Sequence, residues 1–121
     1  MEDNQRHAFG LIAESWSDVL LRIRKYGNDK WTINQVLIMH TVFSDHLHGV
    51  ECTVSRLVEV LGIPQQTVSN AIATLLASGM ITEKVHPDDG RIKLLSPTTV
   101  ALERRNRVWS EAIGLSPIAD N

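Results

Sequence analysis

The sequence predicts a mainly helical α+β domain carrying one small β-hairpin, and three observations support this. Apolar residues recur at three- and four-residue spacing along most of the chain, as on the buried faces of amphipathic helices. From Met80 to Leu95 the period drops to two, around a Pro-Asp-Asp-Gly turn, which marks paired strands. Glycine or proline stands at the junctions between these segments, where the chain must stop one element and start the next.

The first helix is expected over 6–26, where Phe9, Ile12, Trp16, Val19, Leu20 and Ile23 fall on one face and Gly27-Asn28-Asp29 breaks the pattern. The second starts near Thr32. Thr32 and Gln35 have the spacing of a capping box, in which each side chain satisfies the other residue's free amide. Val36, Leu37, His40 and Phe43 are its expected inward face, with His40 read as a core histidine, and Gly49 lies past its end. A short third helix, 53–61, opens on Thr53 as N-cap and buries Val54, Leu57, Val58 and Leu61. Gly62 ends it, and Pro64 precedes a fourth helix, where a missing N–H does no harm. That helix runs to about Ser78, with Val68, Ile72, Leu75 and Leu76 inward and Gly79 at its C-terminal turn. Strands follow at 80–85 and 91–95, joined by the turn 86–90. Ser96 is expected to cap a last helix with Pro97 in its first turn and Leu102, Arg105, Trp109 and Ala112 along one side. Gly114 and Pro117 close it, and the tail is expected to fray.

At 121 residues the chain suits a single domain over 1–121, with a lobe at about 32–96 and outer helices at 6–26 and 97–113. Hydrophobic residues make up 43%, enough for a core but not a large one, so a chain of this size gains from dimerisation. The formal net charge is −2 and the pI about 6.2, which does not by itself point to nucleic acid. The charge is unevenly placed, however. Between residues 84 and 107, Lys84, Arg91, Lys93, Arg104, Arg105 and Arg107 face only Asp88, Asp89 and Glu103. A locally basic surface on an acidic protein still attracts phosphate. No long apolar run indicates a membrane span, and the polar, acidic start MEDNQRHAFG lacks the pattern of a secretion signal. The lone Cys52 rules out an internal disulfide and suits a reducing cytoplasm.

The order of elements matters more than any one of them. Two helices joined by Leu61-Gly62-Ile63-Pro64 form a helix-turn-helix, whose second helix has a diameter that fits the DNA major groove. The hairpin behind it would be a wing reaching a neighbouring minor groove. The segment TVSRLVEVLGIPQQTVSNAIATLLASGMITEKVHPDDGRIKLLSPT (53–98), the Thr32–Gln35 helix start and the flanking helices resemble the MarR family over roughly residues 8–113. The resemblance implies a homodimer made by the terminal helices, a pseudo-palindromic operator and one wing per subunit. It further implies that Arg91 enters the minor groove, oriented by Asp89. It also implies release by a small effector, often an aromatic acid or other lipophile. A narrow minor groove concentrates negative potential and suits arginine there.

On the fourth helix the polar positions are Gln65, Gln66, Thr67, Ser69, Asn70 and Thr74. None is basic, a departure from many family members. Asn and Gln bracket adenine, and Thr meets the thymine methyl, so the expected site leans toward A·T pairs. Thr53, Arg56, Lys84 and Lys93 complete the DNA-facing set, with Arg56, Lys84, Lys93 and helix N-termini as the phosphate contacts. Phe9, Ile12, Trp16, Val19, Leu102, Trp109 and Ile113 are the expected dimer contacts. Trp16, Trp31 and Trp109 are either anchors of that contact or ordinary core residues. Other readings stay open at this point. The uncharged fourth helix and the acidic net charge would also suit a winged module that binds protein and no DNA. Cys52, just ahead of a helix start, would be a redox sensor if its thiol were acidic. With His46, His48, Asp45 and Glu51 it forms a loose set of metal-ligand types that matches no tight zinc spacing, and no metal or cofactor is expected. Asp88 and Asp89 are adjacent on a turn and so point apart. No phosphate loop, nucleophile elbow or metalloprotease helix is present, and an enzyme is not expected.

Overall fold

The computed structural model describes residues 2–26 and 30–113, without the side chains at positions 9, 11, 12, 14, 15, 26 and 109–113. The expected break at 27–29, the tail from Gly114 and the side chains of Phe9, Ile12, Trp109, Ala112 and Ile113 lie outside the described residues. The described chain forms α1 (Asp3–Tyr26), α2 (Ile33–His48), α3 (Val54–Leu61), α4 (Gln65–Ala77), β1 (Ile81–Val85), β2 (Lys93–Pro97) and α5 (Thr99–Ile113). It divides into two compact units, one of the residues up to 30 with those from 103 onward, the other of residues 31–102.

The second unit is a helix-turn-helix followed by a wing. Its core gathers Ile38 and Val42 of α2, Leu57 of α3, Val68 and Leu75 of α4, and Met80 ahead of β1, all almost completely buried. Trp31 packs against this cluster, so it is a core residue of the unit. Each such side chain contributes about 1.5–3 kcal/mol through loss of water contact. The capping box of α2 is present: the Gln35 amide donates to Thr32 Oγ1 at 3.2 Å and the Thr32 amide to Gln35 Oε1 at 2.8 Å. Thr53 likewise accepts from the Arg56 amide at 3.1 Å. Between α3 and α4 the chain reverses at Gly62, whose φ of +65° lies in the left-handed region that a Cβ disfavours.

The inward face of α2 differs from the expected one. Ile38, Met39, Thr41, Val42 and Asp45 are buried, whereas Leu37 is 41% exposed and His40 is exposed. The stretch Val36–Phe43 is apolar on several sides, so spacing alone does not select the side that meets α3, α4 and β2. His40 is therefore a surface residue, not a core histidine.

The hairpin strands pair antiparallel, with Ile81 opposite Pro97 and Val85 opposite Lys93. The second strand runs two residues later than expected and includes Pro97, so Ser96 does not cap the last helix. Thr98 takes that role. Its Oγ1 accepts from the Ala101 amide at 3.1 Å and donates to the Gly79 carbonyl at 2.7 Å, while its own amide bonds Met80 O at 3.1 Å. This one residue closes the ladder and opens α5. Leu95 N–H also bonds Cys52 O at 2.8 Å, tying β2 to the segment ahead of α3.

In the first unit, Val19 and Val108 are buried, while Trp16, Leu20 and Leu21 of α1 are about half or more exposed.

Candidate nucleic-acid interface

The side of α4 opposite its buried stripe is polar and open. Gln65, Gln66, Asn70 and Thr74 are exposed, and Thr67 and Ser69 are half-buried. The inward set is Val68, Ala71, Ile72 and Leu75, and this division follows from the 3.6-residue period. On the open side Gln66 Nε2 donates to Asn70 Oδ1 at 2.8 Å, and Thr74 Oγ1 donates to the Asn70 carbonyl at 3.2 Å. No charged side chain stands on α4.

Positive charge is supplied by the wing. Arg91 is 91% exposed. Its Nε and Nη2 donate to the two oxygens of Asp89, each at 3.1 Å, and its amide donates to Asp89 Oδ1 at 3.0 Å. The short spacing Asp-Gly-Arg makes this fork possible within one turn. Arg91 beside it holds the Asp89 carboxyl below its ordinary value, first through the side-chain bonds and then through the backbone one. The guanidinium is thereby presented at the tip in one preferred direction. Lys84 is exposed on β1. Lys93 Nζ lies 3.3 Å from Glu83 Oε1, so part of its charge is offset across the strands.

The wing tip is fixed at its base by His86. Its Nδ1 accepts the Asp88 amide at 3.0 Å, which leaves the proton on Nε2, 3.1 Å from Glu51 Oε2. The His86 amide also bonds Ile92 O at 2.9 Å. Sequence reading assigned no role to His86 and placed Glu51 in a loose ligand set. Thirty-five residues separate the pair, and no local pattern marks such a contact.

Arg56, expected as a phosphate contact, forks instead onto Asp45, with Nε and Nη2 each 2.8 Å from a carboxylate oxygen. Asp45 is 3% exposed, and the Arg56 bonds hold its carboxyl below the ordinary range. The reason is desolvation: a buried carboxylate needs a counter-charge, and α3 supplies it. Cys52 lies beside the same carboxylate. Burial first, and then Asp45, push its thiol up to about 12, the opposite of what a reactive sensor cysteine requires. Among the described residues no group of three His, Cys, Asp or Glu side chains is placed to hold a metal ion. No described helix is long and apolar enough to cross a membrane.

A polar helix exposed beside a β-wing defines the winged helix-turn-helix class. Residues 45–92, which span α3, α4 and the wing tip, match the model of the MarR family, and the chain has the fold of the MarR-family transcriptional regulators. It is similar to a mutant of MepR from S. aureus bound to an oligodeoxyribonucleotide, with 20% identity and a TM-score of 0.69 over 91% of this chain and 77% of that one. It is similar to the transcriptional regulator Tm0710 from Thermotoga maritima, with 21% identity and a TM-score of 0.71 over 86% of this chain and 68% of that one. S. aureus MepR bound to ethidium bromide matches at 19% identity and a TM-score of 0.62, over 88% of this chain and 75% of that one. No curated protein matches the chain by sequence.

Proposed function

We propose that this protein is a sequence-specific DNA-binding transcriptional regulator that acts as a homodimer. Each subunit lays α4 in a major groove and sets Arg91 over the adjacent minor groove, on a pseudo-palindromic site that leans toward A·T pairs. The observation that carries the reading is the pairing of an open amide-rich face on α4 with a wing-tip arginine that is 91% exposed and aligned by Asp89. Structural likeness to a regulator bound to an oligodeoxyribonucleotide supports it. Thr53, Lys84 and Lys93 supply phosphate contacts, and Arg56 adds only the guanidinium edge turned away from Asp45.

The dimer contact is assigned to α1 and α5. The half-exposed Trp16 offers apolar surface. Val19 and Leu102 are buried within the chain, so their share is to hold the two helices in shape. Phe9, Ile12, Trp109 and Ile113 complete the assignment from the sequence. A small aromatic or lipophilic effector releases the DNA by favouring a different spacing of the two recognition helices, which requires unequal affinity for the two states. The ethidium complex of a similar fold supports that class of ligand. The release step is checked by tryptophan-fluorescence titration with small aromatic compounds, then DNA competition; a bound compound that leaves DNA affinity unchanged counts against it.

The central test is fluorescence anisotropy on duplexes enriched by in-vitro selection. Binding should weaken as salt rises, with a log–log slope proportional to the phosphates neutralised. Arg91→Ala should lose about tenfold or more in affinity. An unchanged curve for Arg91→Ala removes the wing from the interface. Absence of any enriched duplex at low salt favours instead a winged module that binds protein, the alternative suggested by the uncharged α4 and the net charge of −2.

A further inference from the structure

We propose that Gln66 and Asn70 read a single adenine as one joined unit and not as two independent base contacts. The inference rests on the DNA-binding reading above and sharpens it to one position of the site. The two residues stand one turn apart on α4, both exposed, with Gln66 Nε2 donating to Asn70 Oδ1 at 2.8 Å. Taken separately, each amide would bracket an adenine of its own, at its own position in the site, with its oxygen and NH2 group. The shared bond changes that arithmetic, because it engages one oxygen and one N–H from the pair.

In the orientation described, the Gln66 Oε1 acceptor and the Asn70 Nδ2 donor are left wholly open, while Gln66 Nε2 keeps one further N–H and Asn70 Oδ1 one further lone pair. Turning both amides over reverses the bond and frees Asn70 Oδ1 and Gln66 Nε2. In both cases the closed pair presents one free carbonyl oxygen on one residue and one free NH2 on the other. The conclusion therefore does not depend on which way round the amides are assigned.

Adenine alone among the bases shows a donor, N6, and an acceptor, N7, side by side in the major groove. Guanine shows two acceptors, and would leave the pair's outer oxygen without a partner. Cytosine offers its amino donor alone, and thymine an acceptor beside a methyl group. The joined pair is also held in place before it meets DNA, so less side-chain freedom is lost on binding. Gln65 lies outside the pair and is left to act on its own.

The test is in-vitro selection followed by affinity measurements on single-base variants of the selected site. Four proteins are compared: wild type, Gln66→Ala, Asn70→Ala and the double variant. Each single variant should relax preference at the same adenine by about 5- to 150-fold. The double variant should lose little more than either single one, because removing one member disables the unit. Both side chains are exposed on a helix, so melting temperatures should stay near the wild-type value and show that folding is intact. Wild-type selectivity with the two variants relaxing different positions, or with additive losses, overturns the joined-pair proposal and leaves DNA binding standing. A wild type that selects no duplex at low salt overturns both together.

Discussion

Asp45 and Arg56 show how a buried charge controls stability. With both forked bonds at 2.8 Å, the carboxyl of Asp45 titrates below its ordinary value, whereas in the unfolded chain it titrates near about 3.9. A carboxyl lowered on folding contributes stability that is fully present above the unfolded value and lost as pH falls through the folded one. The melting temperature should therefore fall as pH drops below about 4. Asp45→Asn should cost about 1–3 kcal/mol near neutral pH and flatten that acid limb. Arg56→Met should reverse the slope. Desolvation, the influence that raises Asp45, then outweighs the lesser lowering by Cys52 and His48, and the protein gains stability as acid neutralises the stranded carboxylate. Melting curves for the two variants against pH check this; an Arg56→Met profile parallel to wild type would refute the assigned pairing energetics.

At the scale of elements, the junctions hold the site in place. Gly62 turns the chain between α3 and α4 at φ +65°, and nothing lies within 4 Å of where a Cβ would stand, so a substitution there meets backbone strain and no clash. Gly62→Ala should cost about 1–2 kcal/mol, and Gly62→Asn less, by chemical denaturation. Thr98→Ala removes both the α5 cap and the tie to Gly79 and should cost about 1 kcal/mol or more. These junctions also explain how far the sequence could be read. The α2 capping box, the stripe Val68, Ile72 and Leu75 and the turn at Gly62 all depend on residues a few positions apart, and local spacing exposes them; the Asp89–Arg91 fork is expected only from the family resemblance. The inward face of α2, the extension of β2 through Pro97, the Asp45–Arg56 clamp and the His86–Glu51 contact depend on which element lies opposite. Spacing carries no such information, and a strand that ends in proline next to a threonine cap imitates a helix start at Ser96.

For the whole molecule, the balance of charge bears on the proposed DNA binding. With a net charge of −2 and an uncharged α4, the attraction to phosphate rests on a few wing residues, so the salt slope should be shallow for a DNA-binding protein. Sedimentation should report twice the 13.5 kDa chain mass at micromolar concentration, and Trp16→Ala should shift the equilibrium toward the single chain; a species of one chain mass throughout would remove the dimer from the proposal. The state of Cys52 has a practical result at this same scale. A lone thiol that is 3% exposed and held protonated up to about pH 12 is shielded from alkylating reagents for as long as the core around it stays closed. Labelling at this position would therefore be rate-limited by opening of the unit of residues 31–102, which gives the unmodified protein an internal clock for counting its own excursions from the native state.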